Sequence, residues 1–170
     1  MQRSRVAVPS SMVRLANHLL IGDSGSAEIR ALTRAAAVPS LDLAAGQQVL
    51  AGIAAALAHR RAVGDPPRVL HLIAHGRTGA FRIADQWIDA EALKVHADEL
   101  AGWGVETIAL WSCHGGADAD FVALLAELSG ARVLASADWL GRDGDGNEQL
   151  QLGDWHLSDL VDPSAWPAQF

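Results

Sequence analysis

Two apolar runs of strand length each stop at a reactive side chain followed by glycine. Arg68-Val69-Leu70-His71-Leu72-Ile73-Ala74 runs into His75-Gly76, and Val105-Glu106-Thr107-Ile108-Ala109-Leu110-Trp111-Ser112 runs into Cys113-His114-Gly115-Gly116. Segments this apolar and this short read as buried strands. The stretch between them begins with a hairpin pattern and ends with a helical one, so the two strands are expected to be parallel, joined by a crossover. In an open parallel sheet such strand ends lie together at the carboxyl edge, where sites form. A thiol and an imidazole brought together there make a nucleophile and its proton carrier. The chain has one cysteine, Cys113, so no internal disulfide can form and no oxidising compartment is needed.

The rest of the chain repeats the alternation. His18 to Ile21 reads as a first strand, closed by Gly22-Asp23-Ser24-Gly25-Ser26. Ala27 to Ala37 is an alanine-rich helix that Ser26 can cap. Pro39 to Leu43 is a weaker strand. Gly46 to Arg61 is a helix with Val49, Leu50, Ile53 and Leu57 on one face, broken by Gly64-Asp65-Pro66-Pro67. Gly79 to Ile88 reads as a small hairpin, and Asp89 caps a helix running to about Ala101. A helix over Ala117 to Leu128 and a strand over Ala131 to Ala135 follow. Leu150 to Leu157 reads as a last strand. This order predicts an α/β fold with a mostly parallel sheet. Residues 1–17 are expected to form a loose leader, 18–158 the domain, and 159–170 a tail.

Composition narrows the function. Among 170 residues, 20 are acidic and 13 are Lys or Arg, for a net charge of −7, and no basic run stands out. A nucleic-acid partner is therefore not expected. No apolar stretch approaches a membrane span, and Leu19-Leu20-Ile21 is too short for a signal-peptide core. A cytoplasmic location is the expectation, with signal-independent export as the alternative. Oligomeric state stays open.

The His-Gly and Cys-x-Gly strand ends resemble those of the caspase-like cysteine peptidases, the group that includes caspases, metacaspases, legumain, gingipains and separase. Ser112-Cys113-His114 is similar to the cysteine block of metacaspases. A closer resemblance is to an uncharacterised caspase-like domain near the N-terminus of very large bacterial surface and adhesin-type proteins. It covers about residues 18–158. Its blocks are Ile21 to Ser24, the His-Gly block, the Trp87-Ile88 hairpin, Leu100-Ala101-Gly102-Trp103-Gly104, the cysteine strand, and Gly153-Asp154-Trp155-His156-Leu157.

The resemblance implies a three-layer sandwich, with about six mostly parallel strands and helices on both faces. It implies a cysteine endopeptidase acting on a protein or peptide substrate, or on itself. Cys113 would be the nucleophile and His75 the proton carrier, with the N–H groups of Gly76 and Cys113 as oxyanion donors. Asp23 follows the first strand, where metacaspases place a pocket acid, so cleavage after a basic residue is the expected preference. Metacaspases have a second acid two positions before the cysteine. Trp111 stands there instead, as a residue that narrows the pocket or stacks on an arginine.

Other readings compete. One is a non-catalytic interaction domain on the same scaffold. Another is a metal-dependent hydrolase: His71 and His75 fall on one strand face and could join Cys113 at zinc, but no further ligand pair appears, so no metal is expected. Asp143, Asp145 and Asn147 have the spacing of a calcium loop, with Asp154 at position twelve. Glu148 occupies the sixth position, where the turn needs glycine, so a plain acidic loop is preferred and no cofactor is expected. His114 reads as a loop residue. Trp87, Trp103 and Trp155 are expected to fill the core.

Overall fold

The computed structural model describes residues 17–43, 46–142, 145 and 148–162. The centre is a five-stranded, wholly parallel sheet. It is made of β1 (His18–Gly22), β2 (Ser40–Asp42), β3 (Val69–Ile73), β7 (Thr107–Trp111) and β8 (Arg132–Ala135), in the order β2-β1-β3-β7-β8. In β3 and β7, Leu70 lies opposite Ile108 and Ile73 opposite Trp111. The strands are joined by α1 (Ala27–Arg34), α2 (Val49–Ala62), the pair α3 (Ala90–Val95) and α4 (Ala97–Ala101), and α5 (Ala119–Ser129).

Alternate strand residues enter two different hydrophobic clusters, as a pleat of period two requires. Leu19, Ile21, Leu70, Leu72, Ile108 and Leu110 join Leu50, Ile53 and Leu57 of α2 and Phe121 and Leu125 of α5. Leu20, Ile73, Ala109 and Trp111 join Ile29 and Leu32 of α1 and the C-terminal residues Leu150, Leu152, Leu157, Leu160 and Val161. Each fully buried Leu, Ile or Phe side chain among them contributes about 1.5–3 kcal/mol. Truncating one in the centre, such as Leu72→Ala, is expected to cost roughly 2–5 kcal/mol.

Local signals placed the helices well. Ser26 caps α1 by accepting from Ile29 N at 3.3 Å, and Asp89 caps α3 by accepting from Ala92 N at 3.0 Å. The expected helix to Ala101 is divided at His96, whose φ of −108° and ψ of 31° end α3 and start α4.

Two expectations are corrected. The run Leu150 to Leu157 is not a sixth strand of the sheet. Gly153, with φ of 56°, turns the chain back so that β11 (Gln151–Leu152) pairs antiparallel with β12 (Trp155–His156). Upstream, β9 (Gly141–Arg142) pairs with β10 (Glu148–Gln149). Second, the hairpin of β5 (Ala80–Ile83) and β6 (Gln86–Ile88) carries a third strand, β4 (His75–Arg77). A His-Gly-Arg tripeptide has no apolar alternation to reveal it. The leader through residue 16 and the tail beyond residue 162 lie outside the described residues. So do Asp143 and Asn147 of the calcium spacing.

Candidate functional site

The site lies where β1, β3 and β7 end. Two hydrogen bonds carry the parallel ladder past the strand ends: Asp23 N donates to Ile73 O at 2.9 Å, and Ala74 N donates to Trp111 O at 3.0 Å. Asp23, His75 and Cys113 therefore emerge from three neighbouring strands at one edge. Gly76 shows how close the segments come. A Cβ built on it would lie 1.7 Å from Ser112 Oγ and 2.5 Å from the Cys113 carbonyl oxygen. Only glycine lets the main chain after His75 rest on the Ser112–Cys113 segment.

Cys113 is 8% exposed. Its thiol sits against the main chain of Leu140: the thiol donates to Leu140 O at 3.4 Å, and Leu140 N donates to the sulfur at 3.2 Å. His75 is half-buried, and its Nε2 lies 3.3 Å from Ser26 Oγ. The imidazole is thus hydrogen-bonded to the start of α1 and the thiol to the loop before β9, rather than to each other. His114 is exposed in the following turn at φ of 57°, with Nδ1 3.2 Å from Ala137 O. It is a loop residue, as expected.

Asp23 is fully buried. Its Oδ1 accepts from Gly25 N at 2.9 Å and from Ala84 N at 2.8 Å. Its Oδ2 has no hydrogen-bond partner and faces Arg82 Nε at 3.6 Å. Ala84 and Asp85 form the β5–β6 turn with φ of 50° and 63°, values that L side chains rarely adopt. The Asp23 carboxylate therefore holds a strained turn in place. It also faces Arg82, the residue that pairs with His75 across β4 and β5. A ring contact at 6.3 Å between Phe81 of β5 and Phe121 of α5 anchors the same hairpin from the other side.

Trp111 is fully buried and offers no surface to a ligand. Its Nε1 donates to His71 Nδ1 at 3.1 Å, and His71 Nε2 lies 2.9 Å from His18 Nδ1. Because an indole nitrogen only donates, His71 Nδ1 must accept, and the His71 proton sits on Nε2 and points at His18. Burial, and then the neighbouring charge of His18, lower the His71 pKa from 6.5 to about 3. His71 is occupied by Trp111 and His18 and His75 by Ser26, and among the described residues no three His, Cys, Asp or Glu side chains are grouped to hold a metal.

Of the tryptophans expected in the core, Trp103 is fully buried and Trp155 packs edge-on against His18 at 4.7 Å. Trp87 is 39% exposed, with the Arg77 guanidinium 4.2 Å from its ring. A surface cavity of about 320 Å³, lined by Glu148, Gln149, Leu150, Gln151, His156 and Ser158, contains none of these residues.

Sequence reasoning missed the Ser26 contact to His75, the Leu140 contact to Cys113 and the Arg82 contact to Asp23. Each joins residues far apart in the chain, and neither local pattern nor motif carries a signal for them.

Fold and edge together define an α/β protein with a parallel sheet and an imidazole and a thiol at its carboxyl edge. Residues 19–165 match the family model described as a domain of unknown function, DUF4347, and the chain belongs to that family. No curated protein and no solved structure matches it. Among the described residues no helix is long and apolar enough to cross a membrane.

Proposed function

We propose that this domain is a cysteine endopeptidase of caspase-like type, acting on a protein substrate or on itself. The observation that carries the reading is that His75 and Cys113 follow paired neighbouring strands, with Gly76 seated on the Ser112–Cys113 main chain. In this mechanism the Cys113 thiolate attacks the scissile carbonyl carbon. The developing oxyanion is met by the N–H groups of Gly76 and Cys113. His75, carrying the thiol proton, passes it to the departing amine, and water then cleaves the thioester. A three-layer caspase-like sandwich is the fold part of the proposal. It is supported by the two clusters fed by alternate strand residues, although the sheet has five strands.

Cleavage after a basic residue is the specificity part. It rests on Asp23, whose Oδ2 lacks a hydrogen bond; a substrate cation would take the place of Arg82. A peptide library tests it: preference for Asp or an apolar residue before the cut removes this role from Asp23.

One observation favours the alternative, a non-catalytic interaction domain: the thiol is bonded to Leu140 and nearly enclosed. Exposure to a panel of peptidyl acyloxymethyl ketones followed by mass spectrometry decides between them. An adduct on Cys113 that disappears in His75→Ala supports the peptidase. A folded protein that gains no adduct supports the interaction domain.

A further inference from the structure

The group that orients His75 is a side chain from a different element, Ser26. Its hydroxyl lies 3.3 Å from His75 Nε2, across 49 residues of sequence. Ser26 is 8% exposed and is held on both sides: its N–H donates to Asp23 O at 3.1 Å, and its Oγ accepts from Ile29 N at 3.3 Å. A hydroxyl fixed at the first turn of a helix is a rigid partner for a ring. An imidazole bonded through Nε2 has only Nδ1 left for another task.

We infer that Ser26 is a positioning residue for His75: its hydroxyl accepts the Nε2 proton and so leaves Nδ1 as the unprotonated nitrogen that takes the proton from the Cys113 thiol. This rests on the peptidase reading and deepens it. The step balances without any further reactant. The S–H bond breaks, the proton moves to Nδ1, and the Nε2–H bond to Ser26 is kept, leaving a thiolate and an imidazolium. The tautomer matters because a ring with its proton on Nδ1 has no lone pair there to receive another. Locking a catalytic histidine in the correct tautomer is one of the larger contributions an orienting group can make.

Ser26 also caps α1, so the test must separate the two roles. Glycine is nearly as good an N-cap as serine but has no hydroxyl. Ser26→Gly therefore removes the bond to His75 while keeping the helix start, and Ser26→Thr keeps both. Two measurements are made on the full chain, with thermal melting alongside. Imidazole 15N spectra, with His75 assigned from its loss in His75→Gln, report which nitrogen is protonated. The rate of Cys113 alkylation by iodoacetamide reports the thiolate, which displaces iodide.

The expected result is an Nε2–H tautomer in the native protein and a mixture in Ser26→Gly. Alkylation should fall by about tenfold or more in Ser26→Gly and recover in Ser26→Thr. A native ring protonated on Nδ1 overturns the inference, and so does a Ser26→Gly spectrum identical to the native one. Alkylation that needs His75 but ignores Ser26 also overturns it and leaves the peptidase reading standing. A tautomer that follows Ser26 in a protein whose Cys113 ignores His75 overturns the peptidase reading instead.

Discussion

His71 and His75 stand four residues apart, yet the fold puts them to opposite uses. His71 lies in β3 with no exposure, its Nδ1 accepting from Trp111 and its Nε2 facing His18. Both ring nitrogens are occupied and burial keeps the ring neutral. His75 lies two residues past the end of β3, half-buried and hydrogen-bonded through Nε2 to Ser26 Oγ. A histidine saturated on both sides is a structural crosslink between strands. One with a nitrogen left over can move a proton. The sheet edge separates the two roles: inside it, desolvation makes an unpaired polar atom too costly.

The largest effect that sharpens this contrast falls on chemistry at the edge. Cys113→Ala should abolish labelling by peptidyl acyloxymethyl ketones and any hydrolysis, while circular dichroism stays native, because removing a small thiol disturbs little packing. Hydrolysis that persists in Cys113→Ala would assign the activity to another group. His75→Ala should also abolish labelling, at a stability cost of about 1 kcal/mol, since one hydrogen bond at a half-buried site is lost.

Acid acts on the interior histidine. The unfolded chain binds a proton at about 6.5 that folded His71 refuses until about pH 3. Its contribution is therefore whole above pH 6.5 and is lost as pH falls through that window, by up to about 1.4 kcal/mol per pH unit. Denaturant midpoints measured from pH 7 to 4 should decline more steeply in the native protein than in His71→Leu. Equal slopes would remove His71 from the account.

At neutral pH, His71→Leu should cost about 1–3 kcal/mol, because the buried Trp111 Nε1–H loses its acceptor. Cys113 labelling should survive wherever the variant is folded. If labelling disappears from folded His71→Leu, the division between structural and chemical histidine fails. The smallest effect is expected at the surface of the His75 hairpin. Trp87→Ala should cost roughly 0.5–1 kcal/mol through loss of the Arg77 contact. A chemical denaturation curve indistinguishable from the native one would show that this contact contributes nothing.

Much of this architecture is legible in the chain because its signals are local. Apolar runs mark β1, β3, β7 and β8, and Ser26 and Asp89 mark helix starts. The strand ends at His75 and Cys113 follow from the same runs, since the carboxyl edge is fixed once the sheet is parallel. Less local features were missed. Leu150 to Leu157 has the composition of a sheet strand, but the turn at Gly153 folds it on itself. Trp87 has the composition of a core residue, but it lies on the outer strand of a small hairpin sheet.

The sequence alone determined that the sheet is parallel, that a histidine and a cysteine end two of its strands, and that a glycine follows each closely. Those properties depend on residue type and on periodicity within a few positions. Only the tertiary structure decided which atoms those side chains meet. Ser26 reaches His75, Leu140 encloses Cys113, Arg82 faces Asp23, and Trp111 turns away from the edge to His71. Hydrogen bonding acts over about 3 Å, and which groups come that close is set by how distant segments pack, not by the residues on either side of them.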